Sequence, residues 1–341
     1  MKIFKKILIA VTTMIPFFGS ALAQESFYKN KTIEYIVGFP PGGGYDTYGR
    51  LFSRYLPDHI EGNPKIVVRN MPGVASQLLA DHIANRAPKD GLTIGGIGTF
   101  SITDAILEGK TLPFSAKDFN FLGSYHTDYN ICVANNKVSI NSFNDLLTKE
   151  IILGATSAES IQWPKLSNIL NGTKFKIVPG YKGSNELYLA VIKGEVDGAC
   201  ALSFDVTLSL FNNELSNGEL KFFLQMDDET GAPKLANKNV LNLIDFSKNQ
   251  EDREIYSKVF GIKQFGKPIV FAKEVPADRV EILRKAFVDT LNDPRLVADA
   301  EKMRLSIDYK TGIELQNSVN ALYNTNPTLL TKINSLMKET K

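Results

Sequence analysis

Phe39, Pro40, Pro41, Gly42, Gly43, Gly44, Tyr45 and Asp46 stand between an apolar run at 33–37 and an apolar stripe of helical spacing. A turn of this composition calls for a strand before it and a helix after it. Three consecutive glycines accept φ > 0 backbone and keep side chains away from a bound group. After the turn, Tyr48, Leu51, Phe52, Tyr55 and Leu56 fall at i, i+3, i+4, i+7 and i+8, one face of a helix that Asp46 is placed to cap and Pro57 to end. A helix N-terminus carries unpaired N–H groups and the positive end of the helix dipole, so the turn aims donors at a carboxylate or a phosphate. The same cluster is also the composition of an ordinary loop. A nucleotide-hydrolysing loop needs G-x-x-x-x-G-K-[ST], and 38–46 has no such Lys and hydroxyl pair. A dinucleotide fingerprint needs G-x-G-x-x-G, whereas Tyr45, Asp46 and Thr47 follow Gly44 and Gly49 is out of register.

Residues 1–23 have the parts of a secretory signal: Lys2, Lys5 and Lys6, an apolar stretch at 7–18, then Ala21, Leu22 and Ala23. Cleavage after Ala23 would leave roughly 318 residues, enough for two domains. No Cys stands at position 24 to take a lipid and no later apolar run would span a bilayer, so the expectation is a soluble exported protein, in the periplasm of a Gram-negative cell. Removing three of the 39 Lys and Arg leaves 36 against 37 Asp and Glu, a net charge of −1. With no dense basic cluster after residue 6, nothing favours a nucleic acid or a lipid surface as partner. Cys132 and Cys200 are the only cysteines, and export permits a disulfide as readily as two buried thiols. His59, His82 and His126 are scattered, so no metal site and no cofactor are expected.

The pattern of strand, turn and helix repeats. Strands are expected at 33–39, 65–69 and 92–97, with helices at 46–56 and 76–86 between them. Such alternation indicates βαβ crossovers in an α/β fold with mainly parallel sheets flanked by helices. In open sheets of this kind ligands sit beyond the carboxyl ends of the strands, which gathers the loops 39–46, 71–76 (with Ser76) and 98–101 (with Thr99 and Phe100). From about Tyr125 the alternation restarts, with strands expected at 130–134, 151–155, 175–178, 196–200 and 220–225. The polar segment around Asp227 and Asp228 then leads to a strand at 266–273 and a series of helices. One of these starts at Thr311, which has capping-box spacing to Glu314. The C-terminal helices lack strands for a third lobe and are expected to return to the first. The expected division is a lobe of 24–125 plus 226–341 and a lobe of 126–225, with a cleft between.

Four segments in order, FYKNKTIEYIVGFPPGGGYDTYGR (27–50), GNPKIVVRNMPGVAS (62–76), APKDGLTIG (87–95) and GYKGSNELYLAVIKGEVDGA (180–199), resemble the extracytoplasmic solute receptors of tripartite tricarboxylate transporters, also called Bug proteins. The resemblance spans about residues 27–291. It implies a two-lobed, Venus-flytrap, type II periplasmic binding protein. Its cleft would hold a small organic acid, often a carboxylate, for delivery to two integral membrane transporter subunits. It also implies two pincers acting through backbone amides and short hydroxyls, here Pro41 to Asp46 and the loop carrying Thr156, Ser157 and Ser160. Tyr181 would lie on the rim of the second lobe.

This chain departs from that pattern at Ala158 and Glu159, where relatives often carry glycine and serine. A carboxylate there repels an anionic ligand by about 1 kcal/mol when solvated, so either Glu159 points to solvent, the favoured expectation, or the ligand is less anionic than a tricarboxylate. Asp46 is read both as a helix cap and as a ligand contact. Ser203 and Phe204, after the 196–200 strand, are expected to face the cleft. Trp163 and Asp197 are read as packing and structural hydrogen bonding. No nucleophile elbow and no histidine near the pincers speaks for catalysis. The expected function is that of a monomeric, non-enzymatic receptor. The rival expectation is a sensing module that presents its solute to a membrane signalling partner.

Overall fold

The computed structural model describes residues 26–228, 231–232, 235 and 240–341. The expected signal at 1–23 lies outside the described residues. Among the described residues, twelve strands form two six-stranded sheets. The first four are β1 (Thr32–Val37), β2 (Lys65–Asn70), β3 (Thr93–Gly96) and β4 (Phe119–Ser124). The chain then crosses to lay down β5 (Asn130–Asn135), β6 (Ile151–Ala155), β7 (Phe175–Pro179), β8 (Gly198–Ser203), β9 (Leu220–Gln225) and β10 (Leu241–Asn242). It returns with β11 (Pro268–Ala272) and β12 (Lys310–Thr311). The orders are β12-β4-β11-β3-β1-β2 and β10-β9-β5-β8-β6-β7.

Both sheets follow one plan. In each, the first strand laid down after a crossing is inserted antiparallel between two strands of the opposite sense: β5 between β8 and β9, β11 between β3 and β4. The parallel units β2-β1-β3 and β7-β6-β8 flank them. Central strands carry near-continuous apolar runs because helices cover both faces; β2, at an edge, alternates instead, with Lys65, Val67 and Arg69 exposed. Cys132 on β5 and Cys200 on β8 form a disulfide, which resolves the choice that spacing left open.

The observed strands match the expected ones closely, and the Thr311 capping box forms, with the Thr311 N–H donating to Glu314 Oε2 at 2.8 Å. Two differences follow from packing that local pattern does not carry. First, the second sheet does not end near residue 225. Leu241 and Asn242 run parallel to Leu224 and Gln225, so the return crossing comes later. Second, the helix Gln250–Phe260 lies against the second lobe, where the Phe260 ring meets Trp163 at 4.9 Å between centroids. The C-terminal helix Pro327–Glu339 touches both the helix Phe100–Leu107 and the helix Ala158–Asn171. One apolar core therefore runs from Ile36 and Leu79 through Trp163 to Phe260.

The two crossings meet. Gly266 has φ +59°, and a Cβ there would stand 1.7 Å from the His126 carbonyl oxygen, so only glycine lets the returning chain lie against the outgoing one.

Candidate functional site

The carboxyl ends of β1, β3, β6 and β8 point at the seam between the sheets, and each is followed by a helix. After β1, Gly42 takes φ +82° and the helix Gly44–Tyr55 begins with Gly43 as its N-cap. Asp46 is not the cap. It is the third helical residue, almost wholly buried, and Oδ2 accepts the Gly42 N–H at 2.9 Å and Arg50 Nε at 2.9 Å. Its Oδ1 accepts Asn70 Nδ2 at 2.8 Å. Burial opposes its charge, yet Arg50, the Gly42 amide and Asn70 outweigh burial and hold the carboxyl at about 2. Asp46 braces the glycine turn, with both oxygens engaged by Gly42, Arg50 and Asn70. Pro41 to Gly44 are exposed, and the N–H groups of Gly43, Gly44 and Tyr45 have no partner among the described residues. The Phe39 and Tyr45 rings stack at 4.1 Å beside them.

Ser76 is fully buried, and its Oγ accepts the Gly98 N–H at 2.6 Å and meets Ser101 Oγ at 3.0 Å. It stitches two loops together and does not reach the seam. Val74, Ala75 and Ser76 all have positive φ (+44°, +50° and +75°), which is the conformation a glycine-rich turn would supply without strain. The Thr99 hydroxyl and the Tyr45 hydroxyl both donate to the Gly266 carbonyl, at 3.2 and 3.3 Å.

In the second lobe the loop is closed on itself. Thr156 N–H and Ser157 N–H both donate to Ser160 Oγ, at 3.0 and 2.9 Å, and Ser157 Oγ accepts the Ser160 N–H at 3.3 Å. The expectation that Thr156, Ser157 and Ser160 present free donors is corrected: Ser160 is buried and consumes two of the amides itself. Glu159 does not point to solvent either. It is 8% exposed, with Oε1 accepting from Lys263 Nζ at 3.1 Å. Burial opposes its charge, but Lys263 lowers its pKa below the usual carboxylate value. Lys263 is raised in turn: burial works against it, and Glu159 and Asp128 overcome that. Phe100 lies under Lys263 at 6.0 Å. Tyr181 packs its ring over Gly154 of β6, behind the loop.

A second lysine faces the first lobe. The Cε of Lys267 lies 3.5 Å from where a Cβ on Gly44 would stand, and its ammonium lies 5.1 Å from the Tyr48 ring centre. No ion pair to Lys267 exists among the described residues. Burial lowers its pKa, Asp128 works against that, and Lys263 lowers it further. Asp128 sits between them: its Oδ1 accepts the Ser203 hydroxyl at 2.7 Å, and although burial opposes its charge, His126, Lys267 and Lys263 hold its pKa far below the ordinary value. His126 Nε2 lies 3.3 Å from Asp205 Oδ2. At the base of the crossing Asp227 is fully buried and accepts the Asn130 and Asp228 N–H groups, each at 2.9 Å; burial pushes its carboxyl up to about 7.

Behind Glu159 a cavity of about 20 Å³ is enclosed by Phe100, Leu107, Trp163, Val259 and Met337. A larger cavity, of about 510 Å³, is lined by His126, Phe204, Asp205, Val297, Leu305 and Asp308, among others. The structure thus gathers Gly43, Gly44, Tyr45, Thr99, Phe100, Ser157, Ser203 and Phe204 about one seam. It leaves Asp46, Ser76 and Ser160 in supporting positions. Lys263, Lys267, Asp128 and His126 were missed by sequence reasoning. Two lysines four positions apart around Gly266, just before an apolar strand, were the available signal.

No family model matches the chain. Over 92 residues it is 32% identical to the UPF0065 protein in the tcbD-tcbE intergenic region of Pseudomonas sp. strain P51, a segment spanning 27% of this chain and 26% of that relative. A TctC solute-binding protein from Polaromonas superposes with a TM-score of 0.66 at 17% identity, covering 92% of this chain and 99% of the other. MatC from Rhodopseudomonas palustris, with bound malate, superposes with a TM-score of 0.54 at 15% identity, covering 90% and 99%. These likenesses show a two-lobed, type II periplasmic-binding-protein fold. The fold is the one those TctC and MatC solute-binding structures share.

Proposed function

We propose that the chain is an extracytoplasmic solute receptor that captures a small organic acid between its lobes and releases it unaltered. It would work in the periplasm and deliver the acid to the membrane subunits of a tripartite tricarboxylate-type transporter. The observation that carries this reading is the pairing of the bare N-terminus of the helix Gly44–Tyr55 with Lys267, an ammonium that has no ion-pair partner among the described residues. Free amides, a helix dipole and a desolvated ammonium together form a carboxylate site. The relative named for its bound malate supports the same class of solute. The lobes would hinge where 125–130 meets Gly266, and contacts made only in the closed form would shift that equilibrium.

The test is a thermal-shift screen of the protein, stripped of co-purified solute, against mono-, di- and tricarboxylates, amines and sugars. Carboxylates alone should raise the melting temperature, and Lys267→Met should weaken binding of the best of them by ~10-fold or more, about 1.4 kcal/mol or more. An amine or sugar as the sole ligand, or unchanged affinity in Lys267→Met, would sink the proposal.

A further inference from the structure

Resting on that reading, we propose that Glu159 makes the receptor selective for acids with a single carboxylate. Two helix N-termini face the seam, and a dicarboxylate would need an anion site at each. The second site is already filled from within. The Glu159 carboxylate, in the first turn of the helix Ala158–Asn171, holds Lys263 Nζ at 3.1 Å, the cation a ligand carboxylate would otherwise use. It is tethered by its own backbone, so a solute must compete with a group that is always present. Breaking a buried ion pair to admit a second carboxylate leaves one charge without its partner.

The open end of the seam disfavours a second carboxylate as well. The cavity of about 510 Å³ beyond His126 is walled by Phe204, Val297 and Leu305, and its charged groups include Asp205, Glu301 and Asp308. A carboxylate entering there meets three acidic side chains. An apolar tail meets apolar walls. The favoured solute therefore places its one carboxylate against Lys267 and the Gly43 to Tyr45 amides and extends its body toward the cavity.

The experiment is titration calorimetry of the refolded full-length mature chain with matched pairs, hexanoate against adipate and lactate against malate. The wild type should bind the monocarboxylate of the preferred pair at least ~10-fold more tightly. Glu159→Gln, which keeps the hydrogen-bonding shape but removes the charge, should narrow that ratio by ~10-fold, mainly through tighter dicarboxylate binding. Wild-type protein that binds adipate or malate as tightly as its partner overturns the selectivity alone, whatever the variant does. Absence of binding by every acid, in a protein shown folded by its cooperative melt, overturns the receptor reading and this inference with it. Should Glu159→Gln fail to fold, the wild-type ratios still decide.

Discussion

Two strand-to-helix turns face each other across the seam and use their helix N-termini in opposite ways. The turn before Gly44–Tyr55 is built of glycine, its exposed amides are unmet, and its one acid, Asp46, holds the turn from behind. The turn before Ala158–Asn171 is built of Thr156, Ser157, Glu159 and Ser160: Ser160 Oγ takes the Thr156 and Ser157 N–H groups, and Ser157 Oγ takes the Ser160 N–H. Bare amides can bind an incoming anion; capped amides lend stability and exclude one. The asymmetry means that affinity resides in the first lobe and discrimination in the second.

The strongest way to break this comparison is to remove the internal anion. Glu159→Ala strips Lys263 of its partner in a buried setting, and stability should fall by about 3–5 kcal/mol in urea unfolding. Added acetate should recover part of the loss, since the vacated site is again a helix N-terminus beside an ammonium. A loss below about 1 kcal/mol would mean the pair is solvated and the second turn is not closed.

A pH series separates the closed turn from the crossing beneath it, because two carboxyl groups are shifted in opposite directions. Glu159 has a lowered pKa, so its contribution is present above its unfolded value and is lost as pH falls through the folded one. Asp227, raised to about 7, binds a proton in the folded chain that the unfolded chain has released. Its stabilisation is complete below its unfolded value near 4 and is lost as pH rises toward 7, by up to about 4 kcal/mol. Stability should therefore decline between pH 5 and 7.5, and Asp227→Asn should flatten the decline. A wild-type profile that rises over this range would show that Asp227 is not buried at the crossing.

The first turn was legible in the sequence because it depends on local chemistry. Pro40, Pro41 and three glycines between a β-branched run and an amphipathic stripe dictate strand, turn and helix, and the structure supplies them within two residues. The second turn was harder, since the hydroxyls of Ser157 and Ser160 suit a ligand as well as a cap, and Glu159 reads as pointing to solvent. Which role wins depends on Lys263, about a hundred positions away, which enters the seam only because the chain returns through Gly266. The same return buries Lys267 against Gly44. The one local mark on the two lysines is their spacing around Gly266 before an apolar strand, and it does not say what they face. β10 was missed for a related reason: two residues have no period, and only pairing with β9 makes them a strand.

The smallest expected effect is the most direct measure of the closed turn. Ser160 Oγ accepts the Thr156 and Ser157 N–H groups and donates to the Ser157 carbonyl at 2.9 Å, so Ser160→Ala frees two amides at the seam without touching the Glu159 and Lys263 pair. Losing the Ser160 half of the capping box, with its two accepted N–H groups, should cost about 1–2 kcal/mol of stability. If Ser160 were a ligand contact, affinity for the best carboxylate would fall along with stability. A supporting residue predicts otherwise: affinity holds or improves slightly, because two donors become available next to the site. Calorimetry on Ser160→Ala, set beside Lys267→Met, would read out the division of labour between the turns, with affinity moving in the lysine variant and stability in the serine variant.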